Sequence, residues 1–198
     1  MTHRVCLLAT LALVAGARAS SAQATPRTTP SCTSYQNAPT SSTGTADPKD
    51  VASENAIIAA LYDVISGPAC QRRDWNRFRS LFAPGARLIP TIRSPNGPIT
   101  LRVQTPEEYG TAAQRTLEEN GFFEREISRT GETFGAITHA FSTYESRHKA
   151  NDEKPFQRGI NSIQLLNDGT RWWIVTVYWQ GERPGIPIPE QFLKKPGR

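Results

Sequence analysis

Histidine and cysteine are scarce in this chain, three of each in 198 residues, and the only methionine is Met1. No His, Cys, Asp or Glu spacing suits a metal ligand set, so a closed zinc site is not expected. The Gly-rich loops that cradle phosphates are missing, and so is the Gly-x-Ser-x-Gly turn of a nucleophile elbow. Ser142 and Ser162 fall in strand patterns, where polar alternation accounts for them. No apolar run is long enough to span a bilayer. Lysines and arginines are interspersed with acids, which removes the footprint of a nucleic-acid binder. No cofactor is expected, and no internal repeat is found.

What is present begins with a leader. Arg4, an apolar run over residues 5–15 and the small residues Ala22-Gln23-Ala24 predict a secretory signal peptide over 1–24, cut after Ala24, with Ala19 as the alternative. The mature protein is then secreted or periplasmic. Loss of Arg4 and Arg18 takes the formal charge from +5 to +3. Residues 25–46, rich in Thr, Ser, Pro and Ala, have too little apolar surface to offset ordering entropy and predict a disordered spacer. Cys32 in the spacer and Cys70 beyond it are the remaining thiols: they pair and pin the spacer to the domain, or stand as two independent thiols. Residues 47–184 predict one domain, and 185–198 a Pro-rich tail.

Residues 159–182 carry the strongest pattern. Two β-rich runs, 160–166 and 171–179, flank Asn167-Asp168-Gly169, which predicts an antiparallel hairpin. Strict alternation puts Asn161, Ile163 and Leu165 on one face with Trp172, Ile174, Thr176 and Tyr178. The other face takes Ile160, Ser162, Gln164, Trp173, Val175, Val177 and Trp179. Both faces hold large apolar groups, so both need a cover.

Upstream, Asp47-Pro48 opens a first helix that buries Val51, Ile58, Leu61, Tyr62 and Ile65 and ends at Gly67-Pro68. Asp74 caps a second, with Trp75, Phe78, Leu81 and Phe82 on its apolar side, running to Pro84-Gly85. Arg72, Arg73, Arg77 and Arg79 predict a solvated face for it. Residues 86–90 and 99–103 predict short strands. Thr105-Pro106-Glu107-Glu108 forms a capping box for a third helix that stops at Asn120-Gly121. Residues 122–129 and 134–147 complete four consecutive antiparallel strands, so the class is α+β, with helices against one concave face of the sheet.

Arg73-Asp74-Trp75 through Leu81-Phe82-Ala83-Pro84-Gly85-Ala86, with Asp168-Gly169 through Trp172 and Ile174, resembles the nuclear transport factor 2-like superfamily over roughly residues 50–182. The likeness is nearest its SnoaL-like and ketosteroid-isomerase-like branch. The Pro187-Ile188-Pro189-Glu190 tail is similar to that of an exported bacterial group within it. This resemblance implies a cone, a curved antiparallel sheet wrapped by three N-terminal helices, whose mouth takes small, mostly apolar molecules. It also implies a homodimer through the outer sheet face. Tyr62 stands where the isomerases keep an oxyanion-stabilising tyrosine. Their base carboxylate at the end of the first strand has no counterpart in Leu88-Ile89-Pro90, and Thr176 and Tyr178 replace the histidine or aspartate common on the last strand.

Three functions follow as expectations. The first is a ligand holder, its cone lined by Asn161, Trp172, Ile174, Thr176, Tyr178 and Glu126 around a small hydrophobic molecule. The second is a lyase or isomerase with His139 as base and Tyr62 as donor, which requires the two side chains to converge on one cavity. Glu124 and Glu126, on one side of their strand, are an alternative acid/base pair if turned into the cone, or else a solvated stripe. The third is an interaction module that docks a partner on its outward tryptophans.

Overall fold

The computed structural model describes residues 32–37, 44–94 and 97–194. The predicted leader, most of the predicted spacer and residues 195–198 lie outside the described residues. The class is α+β, a six-stranded curved, unclosed sheet with helices on its concave face. Its strand order is β2-β1-β6-β5-β4-β3, from β1 (Phe82–Arg93), β2 (Ile99–Leu101), β3 (Phe123–Phe134), β4 (Ile137–Arg147), β5 (Gln157–Asn167) and β6 (Trp172–Gly181). The sheet is antiparallel except that β1 runs parallel to β6, a pairing that the short-range patterns do not carry.

The predicted first helix is two helices, α1 (Pro48–Val51) and α2 (Glu54–Ile65). Ser53 makes the break: its side chain accepts the Ala56 N–H and starts a new helix rather than continuing the old one. Helix α2 presents Ile57, Ile58, Leu61, Tyr62, Val64 and Ile65 to the sheet, all buried. Asp74 caps α3 (Trp75–Ser80), which ends before Leu81. Pro84-Gly85 therefore does not stop a helix. It sits inside β1 at a register shift, where a missing N–H costs no ladder bond and Gly85 supplies φ of 82°. The capping box at Thr105 opens α4 (Pro106–Asn120), and Gly121 closes it with φ of 70°. A Cβ there would stand 2.6 Å from the His148 carbonyl oxygen, so this junction requires glycine.

Within the stretch expected to be a disordered spacer, residues 32–37 are pinned down. Cys32 and Cys70 form a disulfide. The Gln36 N–H donates to the Cys70 carbonyl at 2.8 Å and the Arg72 N–H to the Gln36 carbonyl at 3.0 Å, while the Arg72 guanidinium lies over the Tyr35 ring. The arginine face is not uniformly solvated either. Arg77 binds Asp50 and Asp63, and Arg73 is buried, its guanidinium donating to five carbonyls where α2 ends and α4 ends.

Two β-bulges decide which way side chains point. Val175 is the extra residue in β6, between the Ile174–Leu165 and Thr176–Gln164 pairs, and Ile127 is the extra residue in β3. Each reverses the alternation beyond it. The inner face of the hairpin is Asn161, Ile163 and Leu165 with Trp172, Ile174, Val177 and Trp179. Val177 and Trp179, expected outside, are inside; Thr176 and Tyr178, expected inside, are outside. On the outer face, residues 183–194 return across the sheet. Thr143 Oγ1 donates to the Phe192 carbonyl at 2.6 Å, the Phe141 and Phe192 rings meet at 5.0 Å, and Ile188 is buried. The tail thus covers part of the face for which a second chain was expected. Among the described residues no helix is long and apolar enough to cross a membrane.

Candidate functional site

The junction of α2 with β3 sets the site. The Gly67 and Phe122 backbones exchange two hydrogen bonds, of 2.7 and 2.9 Å, and the Glu124 N–H donates to Ser66 Oγ at 2.9 Å. The chain entering β3 is therefore fixed on the end of α2 before the Glu124 side chain departs. Glu124 pairs across the ladder with Ser146, on the inner face. Ser146 Oγ donates to its carboxylate at 2.8 Å, and the Asn161 amide, in the same cavity wall, favours its charged form.

Glu124 lines a cavity of about 210 Å³ inside the cone. Most of the wall is apolar: Leu61 and Ile65 of α2, Leu88, Leu117, Val177 and Trp179. Burial pushes the Glu124 carboxyl up to about 7, against Ser146 and Asn161, which favour its ionised form. Among the described residues, no Lys, Arg or His lines this cavity. Tyr109 and Tyr144 line the same cavity, and among the described residues neither hydroxyl has a hydrogen-bond partner. Burial, then the nearby Glu124 charge, raises the pKa of both phenols, so both are O–H donors at any working pH. The cavity joins one proton acceptor poised near neutrality to two donors. A second cleft of about 430 Å³, between α2 and β3, has Glu124, Tyr62 and Glu126 in its wall.

Tyr144 owes its place to Gly159, directly opposite on β5. A Cβ at 159 would lie 2.4 Å from the phenol oxygen and 2.5 Å from the Gln180 carbonyl. Gly159→Ala is expected to displace the ring and lower unfolding stability by about 1–3 kcal/mol in urea titrations. Gly181→Ala meets only the flexible end of Gln157 and is expected to cost less than half as much.

Of the residues singled out from sequence, Asn161 lines the cavity, and Tyr62, in the wall of the second cleft, is buried with its hydroxyl 2.7 Å from Ser142 Oγ and 3.0 Å from Asn161 Nδ2. Glu126 faces inward but is bound by Ser142 and by Arg129 at 2.9 Å. Trp172 and Ile174 face the core and fill it, without lining the cavity. Thr176 and Tyr178 stand outside the cone, beyond the Val175 bulge. His139 also lies on the outer face, in a row with Glu132 and Gln164, its Nε2 3.0 Å from Ser162 Oγ. The sheet separates it from Tyr62, so the pair required for the His139 mechanism does not converge. Tyr109 and Tyr144 were not anticipated as cavity-lining residues. The available signal was the run Phe122-Phe123-Glu124, a carboxyl entering a strand behind two aromatics.

No family model matches the chain, and no curated protein matches it. Among solved structures it is similar to a protein of unknown function with a cystatin-like fold from Nostoc punctiforme, at 11% identity and a TM-score of 0.49, over 66% of this chain and 89% of that one. It is likewise similar to a nuclear transport factor 2-like protein of unknown function from Pseudomonas putida, at 11% identity and a TM-score of 0.48, over 64% and 82%. A proposed ketosteroid isomerase from Parabacteroides distasonis gives 15% identity and a TM-score of 0.44, over 65% and 87%.

Proposed function

We propose that the protein takes a small, largely apolar molecule with one carbonyl or hydroxyl into the cone and exchanges a proton with it through Glu124, as a lyase or isomerase does. The observation that carries this reading is a carboxyl in an apolar cavity with no Lys, Arg or His among the described residues of its wall, pushed up to about 7 by burial. A base is most effective when its pKa lies near the working pH. Glu124 as carboxylate removes a proton beside the carbonyl, and the Tyr144 or Tyr109 hydroxyl donates to the oxygen on which charge develops. Protonated Glu124 then returns the proton to another carbon or to a leaving group. The 210 Å³ cavity is smaller than the roughly 300–1,000 Å³ of sites for drug-sized ligands, so the molecule has the bulk of one ring or a short branched chain.

The test uses a panel of small cyclic and branched ketones in D₂O, with loss of the α-proton signal followed by NMR. Exchange is expected to rise with pH through about 7 and to be lost in Glu124→Gln. Thermal stabilisation by the same ketones without exchange would leave a holder of apolar molecules, and the absence of both would sink the reading.

The proposal extends to setting and assembly. Export is supported by the Cys32–Cys70 disulfide, since such bonds persist in oxidising compartments, and cleavage after Ala24 is proposed with it. Pairing of two copies is proposed for the outer face that the tail leaves open. Phe134, Ile137, Leu166 and Trp173 form one transverse apolar row there, with Phe134 84% and Ile137 62% exposed.

A further inference from the structure

The hydrogens between the two inner-face carboxylates can be counted one by one. Arg129 grips Glu126 through Nε, 3.1 Å from both oxygens, and through Nη2 at 2.9 Å, while its Nη1 reaches Glu54 at 2.7 Å. Glu126 is thereby held as an acceptor only. Ser142 spends its single hydroxyl hydrogen on Glu126. The Tyr62 hydroxyl, 2.7 Å from Ser142 Oγ, is then the donor of that pair, and its oxygen is left to accept Asn161 Nδ2 at 3.0 Å. This contact fixes the amide with nitrogen rather than oxygen toward Tyr62, which leaves the second N–H of the same nitrogen for the cavity that Asn161 and Glu124 both line.

We propose that Tyr62 is a positioning residue for Glu124: by accepting one Asn161 N–H it holds the other against the Glu124 carboxylate, so the Arg129–Glu126 pair dictates the direction of hydrogen bonding at the proton-exchanging group. This rests on the reading of Glu124 as that group. It also gives Tyr62 a role different from the oxyanion donor that its position suggests, because its one hydrogen is committed to Ser142. The groups facing Glu124 are Tyr62 from α2, Tyr109 from α4, Tyr144 from β4 and Glu126 from its own strand. Asp63, Arg125, Arg129 and Arg147 stand around the outer cleft that Glu124 also lines.

Titration of the glutamate carboxyl carbons by NMR, in the unliganded full chain, reads the proposal without any ligand, with Glu124→Gln assigning the signal. In Tyr62→Phe the acceptor is gone and the amide is free to turn its oxygen toward Glu124. Losing a donor to the charged form moves the Glu124 midpoint upward, by about one pH unit. Asn161→Ala is expected to give a rise of similar size, and the double variant no more than the larger single effect. Ser142→Ala, a smaller change one link earlier, is expected to move the midpoint in the same direction and serves where Tyr62→Phe folds poorly. An unmoved midpoint in Tyr62→Phe and Ser142→Ala, with only a lowered melting temperature, overturns the proposal. Full additivity of the Tyr62 and Asn161 effects does so too. A failure to exchange protons with ketones, with these shifts observed, sinks the functional reading and leaves the positioning intact.

Discussion

Replacing Glu124 by glutamine is expected to raise the unfolding free energy by about 3 kcal/mol at pH 8 and to leave it nearly unchanged at pH 4. The native carboxyl sits near 7 because burial penalises its charge, whereas in the unfolded chain it titrates about 2.5 units lower, near its ordinary value. Between those two values the native state binds the proton and the unfolded state does not. The contribution of Glu124 to stability is therefore fully present below about 4.5, is lost as pH rises to about 7, and stays lost above it. Glutamine has no charge to desolvate, and its carbonyl oxygen can accept from both Ser146 and Asn161. Urea unfolding of both proteins at pH 4, 6 and 8 checks the sign and the window. The variant that gains stability is also the one expected to lose proton exchange, so the carboxyl is retained at a cost to the fold.

Arg73→Ala is expected to lose about 3–5 kcal/mol of unfolding stability, the largest loss anticipated for a single side chain here. The Arg73 guanidinium donates to the carbonyls of Ile65, Gly67, Gln71 and Leu117 at 2.6–3.0 Å, and its own N–H donates to Glu118 Oε1. Glu118 Oε1 also accepts from the Trp75 indole at 3.1 Å. Truncation takes the side-chain donor from each of these carbonyls and leaves Gly67 with only the Phe122 N–H. Lysine offers three donors from one point instead of a planar fork, so Arg73→Lys is expected to recover less than half of the loss. Gly67, one of the acceptors, is also the residue bonded to Phe122 two positions before Glu124, so loosening this knot displaces the carboxyl as well. Guanidinium chloride midpoints for both variants measure the effect; a change below about 1 kcal/mol would contradict the accounting.

The sequence makes the sheet and the helix starts legible because their signals are local. Asp74, the Thr105 capping box and the Asn167-Asp168-Gly169 turn each act within four residues, and each stands where its chemistry puts it. The inner face was harder. Strict alternation fails at Ile127 and Val175, and one extra residue per bulge exchanges Val177 and Trp179 with Thr176 and Tyr178. Nothing in residues 171–179 marks Val175 as the extra residue, because both faces are apolar. Tyr62 and Asn161 were correctly read as inward, but what each hydroxyl and amide binds depends on partners 80 and 99 residues away. Glu124 was legible as a strand carboxylate and illegible as a buried one: its isolation comes from α2, α4, β4 and β5 together. Arg73 misled for the same reason, since an arginine between two others on a polar helix side gives no sign of the carbonyls that surround it.

Glu124 itself supplies the most direct test. In a carboxyl NMR titration of the unliganded protein, one glutamate signal with its midpoint near 7, absent from Glu124→Gln, is the predicted result. All glutamate midpoints below about 5 would mean that the carboxyl is solvated or paired with a cation, and the proton-exchanging cavity would not exist.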